Sequence, residues 1–303
     1  MGNLIELTDT NSSEIAAEFV RARVRAGSPM MGMVMTLVVV VDEEGSSEAM
    51  QTAEMACRAH PARILGVVLG AARGAARVNA QVGAGAAGGG ERALIRLSGP
   101  VVKHAASVVL PLLLPDSPVV VWWPADHPAD PAGDPLGRLA NRRITDAAFV
   151  TRGKKAAMVG QCEVYAPGNS DLAWTRITPW RALLAAALDQ HPLKVTGGCV
   201  AAERISPSAD LLVAWLASRL KVSIERRNSD GPGITDVTLE TKEGPIELVR
   251  LDGKLATFRS PGKPDRPVAL RRMDPPELLA EELRHLDEDD IYAETAKWLV
   301  AHG

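Results

Sequence analysis

Cysteine is scarce: Cys57, Cys162 and Cys199 are the three that 303 residues contain. They are far apart and odd in number, which excludes a disulfide framework and a Cys-x-x-Cys metal or redox motif, and a reducing cytoplasm is the expected compartment. No apolar run approaches the roughly 18 residues of a membrane span; the longer ones, such as MVMTLVVVV at 33–41, have the length of buried strands. The start, MGNLIELTDT, has no basic region followed by an apolar one, and Glu6 stands where a myristoylation signal has Ser or Thr. No membrane partner is expected. An excess of one charge is missing too: 34 Lys and Arg against 37 Asp and Glu leave a formal net charge of -3. The field of the whole molecule therefore draws neither nucleic acid nor an anionic surface, and any attraction to anions must be local.

Signs of catalysis are equally sparse. There is no Walker-type loop and no G-x-S-x-G elbow, and a Ser-His-Asp set cannot be assembled from a sequence because its members meet only in space. His60, His104, His127, His191, His285 and His302 are scattered, with no pair at the i, i+4 spacing of a helical metal site. Asp126, His127, Asp130 and Asp134 share a Pro-rich loop and have cation-binding chemistry, but acids beside prolines are more often solvated turn residues. GAGAAG at 83–88 matches the dinucleotide pattern G-x-G-x-x-G letter for letter. Its context fails, since GGG and the strand-like ERALIRL follow where a helix should begin, and no acid stands about 20 positions on to hold a ribose. A hairpin loop is the better reading, and no cofactor, metal or catalytic residue is expected.

What is present is enough apolar residue, 46% of a chain of this length, for two domains each with its own core. Asn11 with Glu14 resembles a capping box, opening a helix that stops at Gly27 and Pro29. The strand at 33–41, a helix in SSEAMQTAEMACRAHP and the strand RILGVVLG make a β-α-β unit of a sheet covered on both faces. ARVNAQVG and ERALIRLSG read as two more strands, Pro100 opens a helix to about Val109, and PVVVWWP is the next buried strand. After an ambiguous stretch at 152–171, Thr178-Pro179 and Ser206-Pro207 each cap a helix. A series of strands (LKVTGGCVAAERI, KVSIERR, TDVTLET, PIELVRL, LATFRS, PVALRRM) suggests an antiparallel sheet, and two acidic helices end the chain. The expected architecture is an α/β N-terminal domain, 1–165, with a mixed, largely buried sheet, then an α+β C-terminal domain, 166–303, with an antiparallel sheet.

Three further features bear on function. Arg138, Arg142 and Arg143 are expected near the end of a short helix after Asp134-Pro135, where cations complement the helix dipole; the alternative is an anion clamp. From 248 to 273 the charge balance is +5 and from 274 to 290 it is -7, two segments that compensate each other or, on the sharper reading, present a basic edge to an acidic partner. Six Trp against three Phe and two Tyr is the compositional oddity. Trp215 and Trp298 fall in helical apolar patterns and suit a core. Trp122 and Trp123 end a strand, where neighbours point to opposite faces, and Trp174 and Trp180 flank a proline-started helix among arginines, the residue types of interface hot spots.

The segments PLLLPDSPVVVWWP, RRITDA, DLAWTRITPWRALLAAALD and GCVAAERISPSADLLVAWLASRL, in this order, resemble the glucose-6-phosphate dehydrogenase assembly protein family, OpcA. The resemblance runs from about residue 30 and is strongest at 110–147 and 170–220. It implies a protein without catalysis of its own that binds glucose-6-phosphate dehydrogenase and promotes its active state in the oxidative pentose phosphate pathway. The candidate partner or anion-binding surface is then Trp122, Trp123, Arg142, Arg143, Asp146, Trp174, Arg176 and Trp180. The alternative is an enzyme or sensor that binds a sugar phosphate or nucleotide at the edge of the N-terminal sheet, with Arg142 and Arg143 as the clamp.

Overall fold

The uninterrupted valines at 38–41 become part of an inner strand because both faces of their sheet are covered, as parallel strands require. The computed structural model describes residues 4–26, 32–84, 90–190, 193–250 and 252–303. From the N-terminus come β1 (Ile5–Leu7), α1 (Ser12–Ala26), β2 (Met35–Val41), α2 (Ser46–Ala56), β3 (Ala62–Leu69), β4 (Arg77–Ala84), β5 (Gly90–Ser98) and α3 (Ala105–Val109). Then follow β6 (Val119–Trp122), β7 (Arg142–Thr145), α4 (Lys154–Glu163), β8 (Asn169–Asp171), α5 (Leu172–Thr175), α6 (Thr178–Gln190), β9 (Val195–Ala202) and α7 (Pro207–Leu220). The chain closes with β10 (Ile224–Asn228), β11 (Ile234–Thr241), β12 (Ile246–Val249), β13 (Leu255–Arg259), β14 (Arg266–Ala269), α8 (Pro275–Leu283) and α9 (Asp290–His302).

One sheet has eight strands in the order β1-β4-β5-β3-β2-β6-β7-β8. It is mixed: β1–β4 and β4–β5 are antiparallel, while β5–β3, β3–β2, β2–β6 and β6–β7 are parallel. The β2-α2-β3 crossover is the β-α-β unit read from the sequence. Its close fit has a local cause at Gly66, where a Cβ would lie 2.6 Å from the Met50 sulfur of α2 and 2.8 Å from Leu94 Cδ1. The start of α1 is capped by Asn11, whose Oδ1 accepts from the Ser13 and Glu14 amides at 3.0 and 3.1 Å. Glu14 completes a different arrangement from the expected box: its carboxylate accepts from the Thr10 hydroxyl at 2.6 Å. The Gly-rich pattern at 83–88 joins β4 to β5, which pair antiparallel up to Ala84 opposite Glu91. The described residues on its far side are therefore strand, and residues 85–88 of the pattern lie outside the described residues.

The other sheet has six strands in the order β10-β9-β11-β12-β13-β14. Four of its five pairings are antiparallel. β9 and β10 are parallel, joined by α7 as a crossover. This sheet's core gathers Leu212, Val237, Leu239, Ile246 and Leu248, with Trp174, Trp180 and Tyr292 from the helices.

Two compact units contain these sheets. The first comprises 1–146, 168–170 and 275–288, the second 147–167, 171–274 and 289–303. A single boundary near 165 does not describe this division, because the chain passes between the units more than once. α8 packs against α2 within the first unit, and the following α9 belongs to the second. Among the described residues no helix is long and apolar enough to cross a membrane.

Candidate functional site

Within the second unit, Ser206-Pro207 opens α7 as the sequence pattern requires. Ser206 is extended (φ -143°, ψ 94°), its hydroxyl accepts from the Ala209 amide, and Pro207 occupies the first helical position. An α-helix leaves the amides of its first turn without intrahelical acceptors and concentrates partial positive charge there. This 14-residue helix directs that end, through Ser206, Pro207 and Ser208, into a cleft of about 390 Å³.

Among the described residues, five cationic side chains line the same cleft, Lys154, Arg176, Arg250, Arg271 and Arg272, against the one carboxylate of Glu203. Arg250, just beyond β12, is the deepest of them, with 6% of its surface exposed. Its Nη1 donates to the Leu270 carbonyl at 2.9 Å and its Nη2 to the Ile234 carbonyl at 3.0 Å, and the guanidinium lies 4.9 Å over the Trp180 ring. Its Nε is buried without a hydrogen-bond partner. Burial first, then the neighbouring Arg272 charge, work against its protonated form and bring its pKa down to about 10, with Asp252 acting in the other direction. Arg250 thus remains a cation at neutral pH. Among the described residues neither Lys154, Arg250 nor Arg272 has a carboxylate within ion-pair distance. The rim carries apolar surface: Phe149 is 56% and Ile205 51% exposed, and Arg176 stacks 5.4 Å from the Phe149 ring. Such a cleft is suited to capturing an anion with an apolar or planar portion.

The residues singled out from the sequence are placed elsewhere, with two exceptions. Trp122 and Trp123 are each 3% exposed. Trp122 ends β6, an interior strand with both faces covered, and Trp123 follows it into the hydrophobic core, so neither presents a docking surface. Trp174 and Trp180 are 2% and 1% exposed. Trp174 donates its indole N–H to Asp289 Oδ2 at 2.7 Å, stacks under Arg181 at 3.6 Å and leans on Tyr292 at 5.4 Å. Arg142 and Arg143 lie on β7 rather than at a helix end; the short helical turn before them ends at Leu139. Arg142 donates to Glu282 and to the Asp287 carbonyl. Arg143 donates to Asn169 Oδ1 at 2.6 Å and to the Ala140 carbonyl at 2.9 Å. Their guanidinium groups are committed to holding β7, so the clamp at the first sheet's edge loses its residues. Asp146 is 3% exposed. Arg176 and Trp180 do reach the cleft.

The Asp126–Asp134 loop is explained by its turns. Asp130 Oδ1 accepts from the Gly133 amide and Asp134 Oδ1 from the Leu136 and Gly137 amides. Among the described residues no group of three or more His, Cys, Asp or Glu lies together as a metal site would require.

Two family models match this sequence. One describes the N-terminal domain of a glucose-6-phosphate dehydrogenase subunit and covers residues 53–161; the other describes the C-terminal domain of the same subunit and covers residues 167–296. The chain belongs to the OpcA family of glucose-6-phosphate dehydrogenase assembly proteins. Curated proteins yielded no match. Among solved structures, an oxidoreductase from Sinorhizobium meliloti is similar over 88% of this chain and 95% of its own, with 9% identity and a TM-score of 0.47. A second, described as trehalose-6-phosphate from E. coli bound with UDP-2-fluoro glucose, covers 65% of each chain with 13% identity and a TM-score of 0.26. These likenesses are too distant to bear on function.

Within this OpcA-family chain, the cleft residues that sequence reasoning missed had left two signals. Arg250, Arg271 and Arg272 belong to the basic segment at 248–273, and Ser208 follows the Ser-Pro cap. What the sequence did not display is that strand ends 232–234, 250 and 270–273 and the start of α7 meet.

Proposed function

We propose that this chain is a non-catalytic assembly factor or activator that binds glucose-6-phosphate dehydrogenase and favours its active oligomer in the oxidative pentose phosphate pathway, working in the cytoplasm. The observation that carries this reading is the pair of family models, both described as domains of a dehydrogenase subunit, which together span most of the chain from 53 to 296. The site's chemistry is compatible with it: the cleft supplies cations for the capture of an acidic group. Activation without catalysis requires only that the chain bind the active state of the dehydrogenase more tightly than the inactive one. A coupling of about 1–3 kcal/mol changes substrate affinity roughly 5- to 150-fold.

Sedimentation velocity tests binding directly. The cognate dehydrogenase mixed with this chain is expected to give a faster boundary containing both proteins. Two independent boundaries at concentrations up to tens of micromolar would defeat the proposal.

A further inference from the structure

We propose that the cleft at the start of α7 is a binding site for a phosphorylated small molecule, so that this chain senses a metabolite as well as binding a partner. Three independent features converge there. The first is charge: five cationic side chains and one carboxylate line a space of about 390 Å³, within the usual 300–1,000 Å³ of small-ligand sites. The second is the floor. Arg250 is more than nine-tenths buried, has an Nε with no partner, and has no carboxylate within ion-pair distance among the described residues. The guanidinium is held by the Leu270 and Ile234 carbonyls and the Trp180 ring rather than by a carboxylate, so its positive charge is left under the cleft, where it favours an anion. The third is the helix end: Pro207 has no amide hydrogen and the Ala209 amide is taken by Ser206, but Ser208, at the second position of α7, lines the cleft, and a first-turn amide is a recurrent partner for phosphate.

The rim defines the rest of the ligand. Phe149 and Ile205 are half-exposed beside the cations, an arrangement that gives an apolar or planar body a place to rest while its phosphate meets Arg250, Arg272 and Lys154. Arg272 is positioned by the backbone on both sides: its amide donates to the Gly253 carbonyl at 3.0 Å, and its guanidinium lies near Gly233, where a Cβ would approach Nη2 to 3.4 Å. Its side chain lines the cleft, with no carboxylate within ion-pair distance among the described residues.

Binding is measured on the full chain alone, so failure here leaves the activator reading standing. Isothermal titration at low ionic strength with glucose 6-phosphate, ATP and inorganic phosphate is expected to show saturable one-to-one binding of at least one organic phosphate, with inorganic phosphate competing more weakly. Glucose and adenosine, lacking the phosphate, should not bind. Because Arg250→Met can disturb the strand ends it bridges, the decisive variant is Arg272→Ser with Lys154→Ser, both outside the core. It should keep the wild-type melting temperature without ligand and weaken binding by about tenfold or more, as loss of charge-assisted hydrogen bonds implies. Absence of binding by all three phosphates at 10 mM, or undiminished binding in the folded double variant, overturns the proposal. If the phosphates do not bind but the same variant weakens association with the dehydrogenase, the cleft is a protein-docking site and the proposal is likewise overturned.

Discussion

Glu282→Ala should cost the first unit far more than an ordinary surface substitution. Arg142 on β7 is 3% and Glu282 on α8 6% exposed. The Arg142 Nε donates to Glu282 Oε1 at 3.1 Å and Nη1 to the Asp287 carbonyl at 2.7 Å, with a second guanidinium contact to the same carboxylate oxygen. Truncating one partner leaves the guanidinium buried opposite a single carbonyl, a loss of about 3–5 kcal/mol. For a unit of this size each kcal/mol moves the melting temperature by about 2–4 °C, so its transition should fall by roughly 6–20 °C. Replacing both residues by apolar ones, Arg142→Met with Glu282→Leu, removes the stranded charge and should recover most of the loss, since buried ion pairs are often neutral relative to well-packed apolar residues. Calorimetry on the wild type, Glu282→Ala and the double variant measures the effect, with urea unfolding followed by circular dichroism as a check. A loss below about 1 kcal/mol in Glu282→Ala would show that the charge is rehydrated and that the pair is not buried as described.

Other substitutions test the packing and the site. Trp122→Ala with Trp123→Ala removes two side chains each 3% exposed; with about 3–5 kcal/mol expected for each, the variant should lose its native near-ultraviolet circular dichroism, whereas a surface role would leave the fold intact. Gly137→Ala would place a Cβ 1.8 Å from the Pro131 carbonyl oxygen and 3.3 Å from the Trp123 ring, and a lowered melting temperature should report the displaced backbone. Ser206→Ala removes the α7 cap and should cost about 1 kcal/mol in urea unfolding. Burial pushes the Cys57 thiol from 9.0 up to about 12 and, with the nearby Asp171 charge as a lesser cause, the Cys162 thiol to about 12. Only the thiolate reacts, so below pH 9 these two carry about a thousandth of an ordinary cysteine's reactive form. Alkylation in the native state should be slow at both and rise on unfolding; rapid native labelling of Cys57 or Cys162 would contradict the burial.

How much of this could be read from the chain differs element by element. The β2-α2-β3 unit was legible because strand and helix periodicities are local, and the Asn11 and Ser206 caps because a cap is a short-range pattern. The tryptophans misled for a physical reason. Alternation along β6 separates Trp122 from Trp123, but both faces of an interior strand are covered, so alternation does not imply exposure. Arg142 and Arg143 looked available because their partners, Glu282 and Asn169, stand at a distance in sequence that no local pattern reports. The cleft was hidden for the same reason: its cations come from α4, the turn before α6 and the ends of the second sheet's strands. Only their excess at 248–273 showed in advance. The interleaving of the two units was invisible as well, because it depends on where α8 finds its partner.

The most direct test is the rate of NADPH formation by the cognate glucose-6-phosphate dehydrogenase at sub-saturating substrate while this chain is titrated in. A saturable rise that reaches its plateau at a fixed molar ratio is expected, with no NADPH formed by this chain alone. A rate that stays flat through a molar excess, or NADPH formation without the dehydrogenase, would contradict it.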